Sequence, residues 1–415
     1  MLKAQCLALS LPTYRSASEV NPQAVAPLVP LHCCWAEVFR APAWRTALAM
    51  SSDEGVAALR RVADVVLTSE AGLTELYELK GALDKGSQAG CVSAMDRRTG
   101  VHYALHEVEL GGLPAAKCAD LAAAVCAQRR IADAPAELSD EMHGAQLALV
   151  REVLLSPKRV LLVTELAPTS GAVCDDLLTL LERRGRLAES DARRVFTRIV
   201  LATKRAHDCG AVLRNIKPES VQVRQQEKHG EFEVYLTQLH CAAPVPRDAD
   251  ADAPLLTGLH GTPEYCAPEM TLWYWHEMVP PRLVEPPPAY SGKADVWALG
   301  MCLHVMLCGC FPFQTSDVDE EELLRTINTA AFAFNDPGWR KVSEEALDLV
   351  AQLLQRDPLD RPCLEEVLQH AFCAEALQEA MLAEEALRLR LVDEKAHDAA
   401  LAALDSLDDD DEDES

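Results

Sequence analysis

The stretch Asp295–Leu307, DVWALGMCLHVML, is apolar on nearly every side when wound as a helix. A surface helix keeps one wet face, so a segment with none has to be enclosed by other elements. The chain must therefore build a core around this piece. Its 415 residues are enough to do so. From Glu75 to Cys373 strand-like and helix-like patterns alternate at domain density. Val160–Val163 and Val234–Leu236 are short apolar runs of the kind found in buried strands. Glu189–Cys209 has the spacing of a long amphipathic helix, which Ser190 is placed to cap and Gly210 to stop. The proline-rich stretch Val279–Pro288 is expected to be a loop. Ser51–Ala71 has room for one short amphipathic helix, with Val56, Leu59, Val62 and Val65 near one face; residues 1–73 otherwise show no repeat or motif. Leu382, Leu389, Ala396 and Ala403 recur every seven residues in the Ala/Leu/Glu-rich stretch Ala374–Leu407, which predicts a helix with one apolar stripe. The following DDDDEDES has nothing to bury.

Charge narrows the partners. The formal net charge is −26, and setting aside the eight acids between Asp405 and Glu414 still leaves −18. Such a surface repels phosphate backbones and anionic membranes, so neither nucleic acid nor a membrane is expected as a partner. No apolar run reaches the roughly 18–20 residues a bilayer span requires. The fifteen cysteines include no Cys-x-x-Cys pair, and they are expected to be buried thiols of a reducing compartment. The expected location is the cytoplasm, with the nucleus open. A calmodulin target would be a basic helix, and Ala374–Leu407 is acidic.

Five segments in order carry a resemblance. CVSAMDRRTGVHYALHEV (Cys91–Val108) resembles strands two and three of a kinase small lobe, and HDCGAVLRNIKPESVQV (His207–Val223) the catalytic loop. GTPEYCAPE (Gly261–Glu269) resembles the end of the activation segment. DVWALGMCLHVMLCGCFPF (Asp295–Phe313) resembles the central large-lobe helix, and RDPLDRP (Arg356–Pro362) the closing arginine motif. Together they resemble a eukaryotic Ser/Thr protein kinase over about 70% of the chain, with Met306–Phe313 most similar to the calcium/calmodulin-dependent group. The resemblance implies an α+β, two-lobe fold: a β-rich small lobe near 75–165 and a helical large lobe near 166–373, between an unassigned extension 1–73 and a helix with an acidic tail, 374–415.

At the positions the family uses for chemistry, the residues differ. The resemblance places His106 where a lysine holds the ATP phosphates. Val125 stands about where that lysine's glutamate partner is expected. Asn215 stands at the catalytic aspartate, Ser220 at a metal-binding asparagine, and Gln238 at the metal-binding aspartate. The glycine-loop positions read Asp84, Gly86 and Ala89, and Gln222 falls where an apolar side chain supports adenine. Gly86, Ala104, Thr164, Glu165 and Lys217 are the remnant of a nucleotide cleft. Arg214, Glu269, Asp295 and Arg361 match positions that hold the family fold together, and Leu213 and Leu239 keep apolar volume between the lobes.

Kinases position ATP and neutralise its phosphates with metal ions and a lysine. The resemblance therefore implies a pseudokinase: a scaffold or allosteric subunit that holds an active kinase or its substrate, with no cofactor expected and ATP/Mg as the lesser possibility. The alternative is a Ser/Thr kinase of weak or atypical activity. Trp273, Tyr274 and Trp275, in an insertion before Asp295, form either an exposed contact patch or part of the lobe's packing; the Ala374–Leu407 stripe either docks a partner helix or folds back.

Overall fold

The structure is a computed structural model. It describes residues 65–67, 75–82, 91–110, 115–134, 145–156, 159–166, 174–225, 232–246, 253–278, 285–313, 319–329 and 337–383, with 385, 386 and 389. Gly86, most of the Ser51–Ala71 stretch, Ala396, Ala403 and the acidic run lie outside these residues.

The N-terminal region is a six-stranded sheet in the order β1-β6-β7-β4-β3-β2. Its strands are β1 (Val65–Leu67), β2 (Tyr77–Ala82), β3 (Cys91–Asp96), β4 (His102–Glu109), β6 (Val150–Leu155) and β7 (Arg159–Glu165). At Val65–Leu67 the helix expected over Ser51–Ala71 is corrected to a strand, since Val65 pairs with Val153 and Leu67 with Leu155 in a parallel ladder; the rest of that stretch lies outside the described residues. β6 is bonded to β7 on its other side, and a Val-Val-Leu triplet suits the open edge whose N–H and C=O groups need partners. Helix α1 (Ala115–Ala132) packs on the sheet through Leu121, Ala122 and Val125, against Val150, Val153, Val160 and Leu162.

The rest is mainly helical, with a second sheet in the order β5-β11-β10-β8, formed by β5 (Ala145–Leu147), β8 (Cys174–Asp176), β10 (Val221–Gln225) and β11 (Phe232–Leu236). α2 (Leu177–Arg184) starts at Asp176, whose carboxylate accepts from the Thr179 N–H at 2.8 Å. α3 (Glu189–Asp208) and α5 (Lys293–Cys308) cross the core, with α4 (Pro268–Met278), α6 (Glu320–Thr329), α7 (Glu344–Leu353) and α8 (Leu364–Gln369) around them. Every residue of α5 from Lys293 to Leu307 is buried, as its all-round apolarity requires. Gly300 lets α5 pack tightly on α7: a Cβ there would stand 2.8 Å from Leu353 and Leu354. α3 begins at Glu189 with Ala188 in the cap position, so Ser190 does not cap it. The Glu189 carboxylate instead receives the Ser343 N–H at 2.9 Å and its hydroxyl at 2.6 Å, a tertiary tie that local spacing does not disclose. Gly210 does end the helix, in the left-handed region at φ 70°.

A last helix, α9 (371–383), folds back on α3. Phe372, Cys373, Ala376 and Ala380 are buried, and Arg194 Nε meets Glu379 at 2.9 Å. Leu382 and Leu389 face solvent, at 64% and 59% exposure, so the face that docks is not the seven-residue stripe. Trp273 is packed and donates to the Pro288 carbonyl at 3.3 Å, while Tyr274 and Trp275 are half-buried, the latter under the Arg325 guanidinium.

Candidate functional site

The candidate site lies where β4 and β7 face the loops that follow β9 (Ala211–Val212) and β11 (Phe232–Leu236). β4 places Ala104 opposite Thr164 and His106 opposite Leu162. The Thr164 hydroxyl donates to the Ala104 carbonyl at 3.3 Å. On its other edge β4 sets His106 opposite Cys91, with Nε2 and Sγ 3.6 Å apart. Burial, with the neighbouring His240 adding to it, lowers the His106 pKa to about 4. The ring is therefore neutral near pH 7. Beyond Thr164, Glu165 meets Arg151 Nε at 3.0 Å.

Helix α1 presents Ala124 and Val125, both fully buried, and its one carboxylate, Asp120, faces Lys117 at 3.6 Å. One turn on, buried Gln128 joins the two regions. Its Nε2 donates to the Leu239 carbonyl at 3.1 Å, and its Oε1 accepts from the Val150 N–H at 3.0 Å. Arg130 Nη1 adds a bond to the Val245 carbonyl.

Asp295, with no exposed surface, braces the loop after β9. Its carboxylate accepts from the Leu213 N–H at 2.8 Å and the Arg214 N–H at 2.7 Å, and lies 2.8 Å from His207 Nε2. Arg214 sits at φ 60° and sends Nε to the Cys241 carbonyl at 2.7 Å and Nη1 to the Tyr290 hydroxyl at 3.5 Å. Gly261 presses on the same loop, since a Cβ there would lie 2.3 Å from the Arg214 carbonyl. Thr262 then donates to Asn215 Oδ1 at 3.2 Å and accepts from Lys217 Nζ at 2.8 Å.

Ser220 closes the adjoining 3-10 turn. Its hydroxyl reaches the Lys217 carbonyl at 2.9 Å and the Asn215 carbonyl at 3.2 Å, and accepts from the Lys217 N–H at 3.2 Å. Thr237 donates to the Ser220 carbonyl at 3.1 Å, bringing Gln238 alongside, buried and at φ 58°. Asn215, Lys217, Ser220 and Gln238 are thus held together, while Glu269 and Arg361 meet elsewhere, at 2.7 and 2.8 Å. Gln222 is half-buried in β10 (Val221–Gln225), in register with Asp176 and Tyr235.

The fold and the order of these loops are those of one family, and the protein kinase domain model matches residues 77–373. The chain belongs to the protein kinase family. It is 27% identical over 321 residues to the serine/threonine-protein kinase GL21140 of Drosophila persimilis, covering 77% of this chain and 38% of that protein. With the serine/threonine-protein kinase CG17528 of Drosophila melanogaster it shares 32% over 197 residues, 48% of this chain and 24% of that one. With mouse serine/threonine-protein kinase DCLK3 it shares 27% over 294 residues, 71% and 32% of the two chains. The chain spans well under half the length of these relatives.

In this kinase domain three polar groups, Gln128, Lys117 and Glu219, carry no local sequence motif. Gln128 was hidden because its partner is 111 residues away, although a lone amide in an Ala/Val-rich helix was a visible signal. Lys117 lies close enough to add its charge to that of Lys217 on His240, whose pKa falls to about 3, first through burial. Glu219, buried in the Ser220 turn, has its carboxyl pKa raised by burial, with Lys217 opposing.

Proposed function

We propose that this member of the kinase family is a pseudokinase, a scaffold or allosteric subunit that acts through protein contacts. The observation that carries the reading is the character of the side chains gathered at the site. Asn215, Ser220 and Gln238 are neutral, and the Ser220 hydroxyl is engaged within its own turn. His106 is neutral near pH 7. Magnesium is a hard cation that binds through carboxylates and phosphate oxygens. The donor set of Asn215, Ser220 and Gln238 offers it no carboxylate and does not fit it. An amide at position 215 cannot take a hydroxyl proton; loss of a general base alone lowers a rate by about 10²–10⁴. The partner this reading favours is an active kinase or its substrate.

The rival is a weak Ser/Thr kinase. In its favour stands the hydrogen-bonded chain Lys217–Thr262–Asn215, which keeps an ammonium group inside the loop. Phosphoryl transfer by the purified chain, measured with Mg²⁺ or Mn²⁺ beside a His106→Ala control, separates the two. The expected result is no metal-dependent turnover above the control. Turnover that the substitution abolishes would overturn the pseudokinase reading. Thermal unfolding with millimolar ATP is expected to show no increase in Tm on adding Mg²⁺.

A further inference from the structure

The densest basic run of the sequence, Arg183-Arg184-Gly185-Arg186, forms the end of α2 and the turn into α3. A second, Arg340-Lys341, ends a 3-10 helix ahead of α7. The fold brings these distant runs to one cavity, with Arg184, Arg186 and Lys341 on its walls and Leu187 and Val342 beside them. The assembly is tied together by the Leu187 N–H on the Met306 carbonyl at 2.9 Å and by Ser343 on Glu189.

The cavity is cationic. Glu189, its one lining carboxylate, already receives Ser343 through two hydrogen bonds and Arg193 at 3.1 Å. Arg184 is shared between Asp191 at 3.6 Å and Gln225 at 3.4 Å. Neither Arg186 nor Lys341 has a carboxylate partner among the described residues. A positive cavity on a chain of net charge −26 fits an acidic peptide, and the sequence contains one in Asp405–Glu414.

We propose that the acidic run Asp405–Glu414 docks in the cavity formed by Arg184, Arg186 and Lys341. The approach of the chain supports this occupant. Glu375 lies 3.9 Å from Arg193 and Glu379 2.9 Å from Arg194, so α9 runs along the N-terminal part of α3. Arg194 is five residues from Glu189, about 7.5 Å of helical rise. The residues between Leu389 and Asp405 span up to roughly 50 Å when extended, so reach sets no limit. Tethering supplies the acidic peptide at an effective concentration in the millimolar range, where modest ion-pair energies suffice.

Zero-length carbodiimide coupling tests the contact, because Lys341 brings an amine to the cavity. On the full chain at low salt, an amide between Lys341 and an acid of 405–414 is expected, within one molecule when ¹⁴N- and ¹⁵N-labelled chains are mixed, and lost in about 1 M NaCl, where the screening length is about 3 Å. Coupling of Asp405–Glu414 to other lysines with none at Lys341 would overturn the proposal, as would exclusively mixed-isotope products. In a second arm, a fluorescent peptide of residues 405–415 is titrated into the chain truncated after Leu404. Arg186→Glu with Lys341→Glu is expected to weaken it by about tenfold or more. Unchanged binding by a variant with the parent's thermal unfolding would sink the idea. Changing all eight acids of 405–414 to Asn or Gln in the full chain reports on the same contact with the cavity unaltered, and is expected to abolish the Lys341 coupling.

Discussion

Lowering the pH from 7 to 5 is expected to remove a large part of the stability of this domain, through three histidines that the fold keeps neutral. His106, His240 and His260 have pKa values lowered to about 4, 3 and 2, in each case first by burial. For His106 the neighbouring His240 adds to the effect; for His260 Arg214 and Lys117 do. An unfolded histidine titrates near 6.5. Between that value and the folded one, the unfolded chain binds a proton the folded chain refuses, so acid favours unfolding. The stability is fully present above about pH 6.5 and is lost as the pH falls toward the folded values. Each ring contributes at most about 1.4 kcal/mol per pH unit; partial exposure trims this, leaving about 2–4 kcal/mol for the three by pH 5. Set against a total of about 5–15 kcal/mol, that is a large share. Urea midpoints at pH 7, 6 and 5 measure it. His106→Leu with His240→Leu is expected to flatten the slope by more than half. An unchanged slope would mean that carboxylates, not these rings, control acid unfolding.

How much of this was legible in the sequence depends on how far each feature reaches. α5 could be read directly, because a segment apolar on every side requires burial whatever encloses it. The kinase order of the loops could be read for the same reason: the motifs are local. His106 could be placed by its position on β4, and an imidazole is mostly neutral near pH 7 in any case; the depth of the shift comes from burial and from His240, which only the fold brings close. Val65 was misplaced on a helix because Val-Val-Leu suits either element, and the open edge of β6 decides the matter. Ser190 was misread as a cap because the Glu189–Ser343 tie depends on a residue 154 positions away. Leu382 and Leu389 repeat at the right interval for a docking stripe, yet Phe372, Cys373, Ala376 and Ala380 make the contact. Period alone does not say which face of α9 meets α3.

The second large effect is expected at Arg361. All five N–H bonds of its fully buried guanidinium have acceptors. Nε donates to the Gln355 carbonyl at 2.8 Å; Nη1 to Glu269 at 2.7 Å and the Lys293 carbonyl at 2.8 Å; Nη2 to Glu269 at 2.8 Å and the Arg356 carbonyl at 3.2 Å. The group also lies over Trp297, 5.2 Å from the ring centre. One side chain thus joins the start of α4, the start of α5 and the segment before α8. Arg361→Ala leaves the Glu269 carboxylate partly buried without its cation, together with three carbonyls, and is expected to destabilise the domain by about 3–5 kcal/mol. Arg361→Lys should recover little, because an ammonium has three donors and no planar fork. The double change Glu269→Met with Arg361→Met removes both charges and keeps apolar volume, so it is expected to be more stable than Arg361→Ala alone. Denaturant unfolding of the three variants at pH 7 decides the matter. If Arg361→Ala loses less than about 1 kcal/mol, the value of an exposed ion pair, the contact does not unite these segments energetically, however complete its hydrogen bonding.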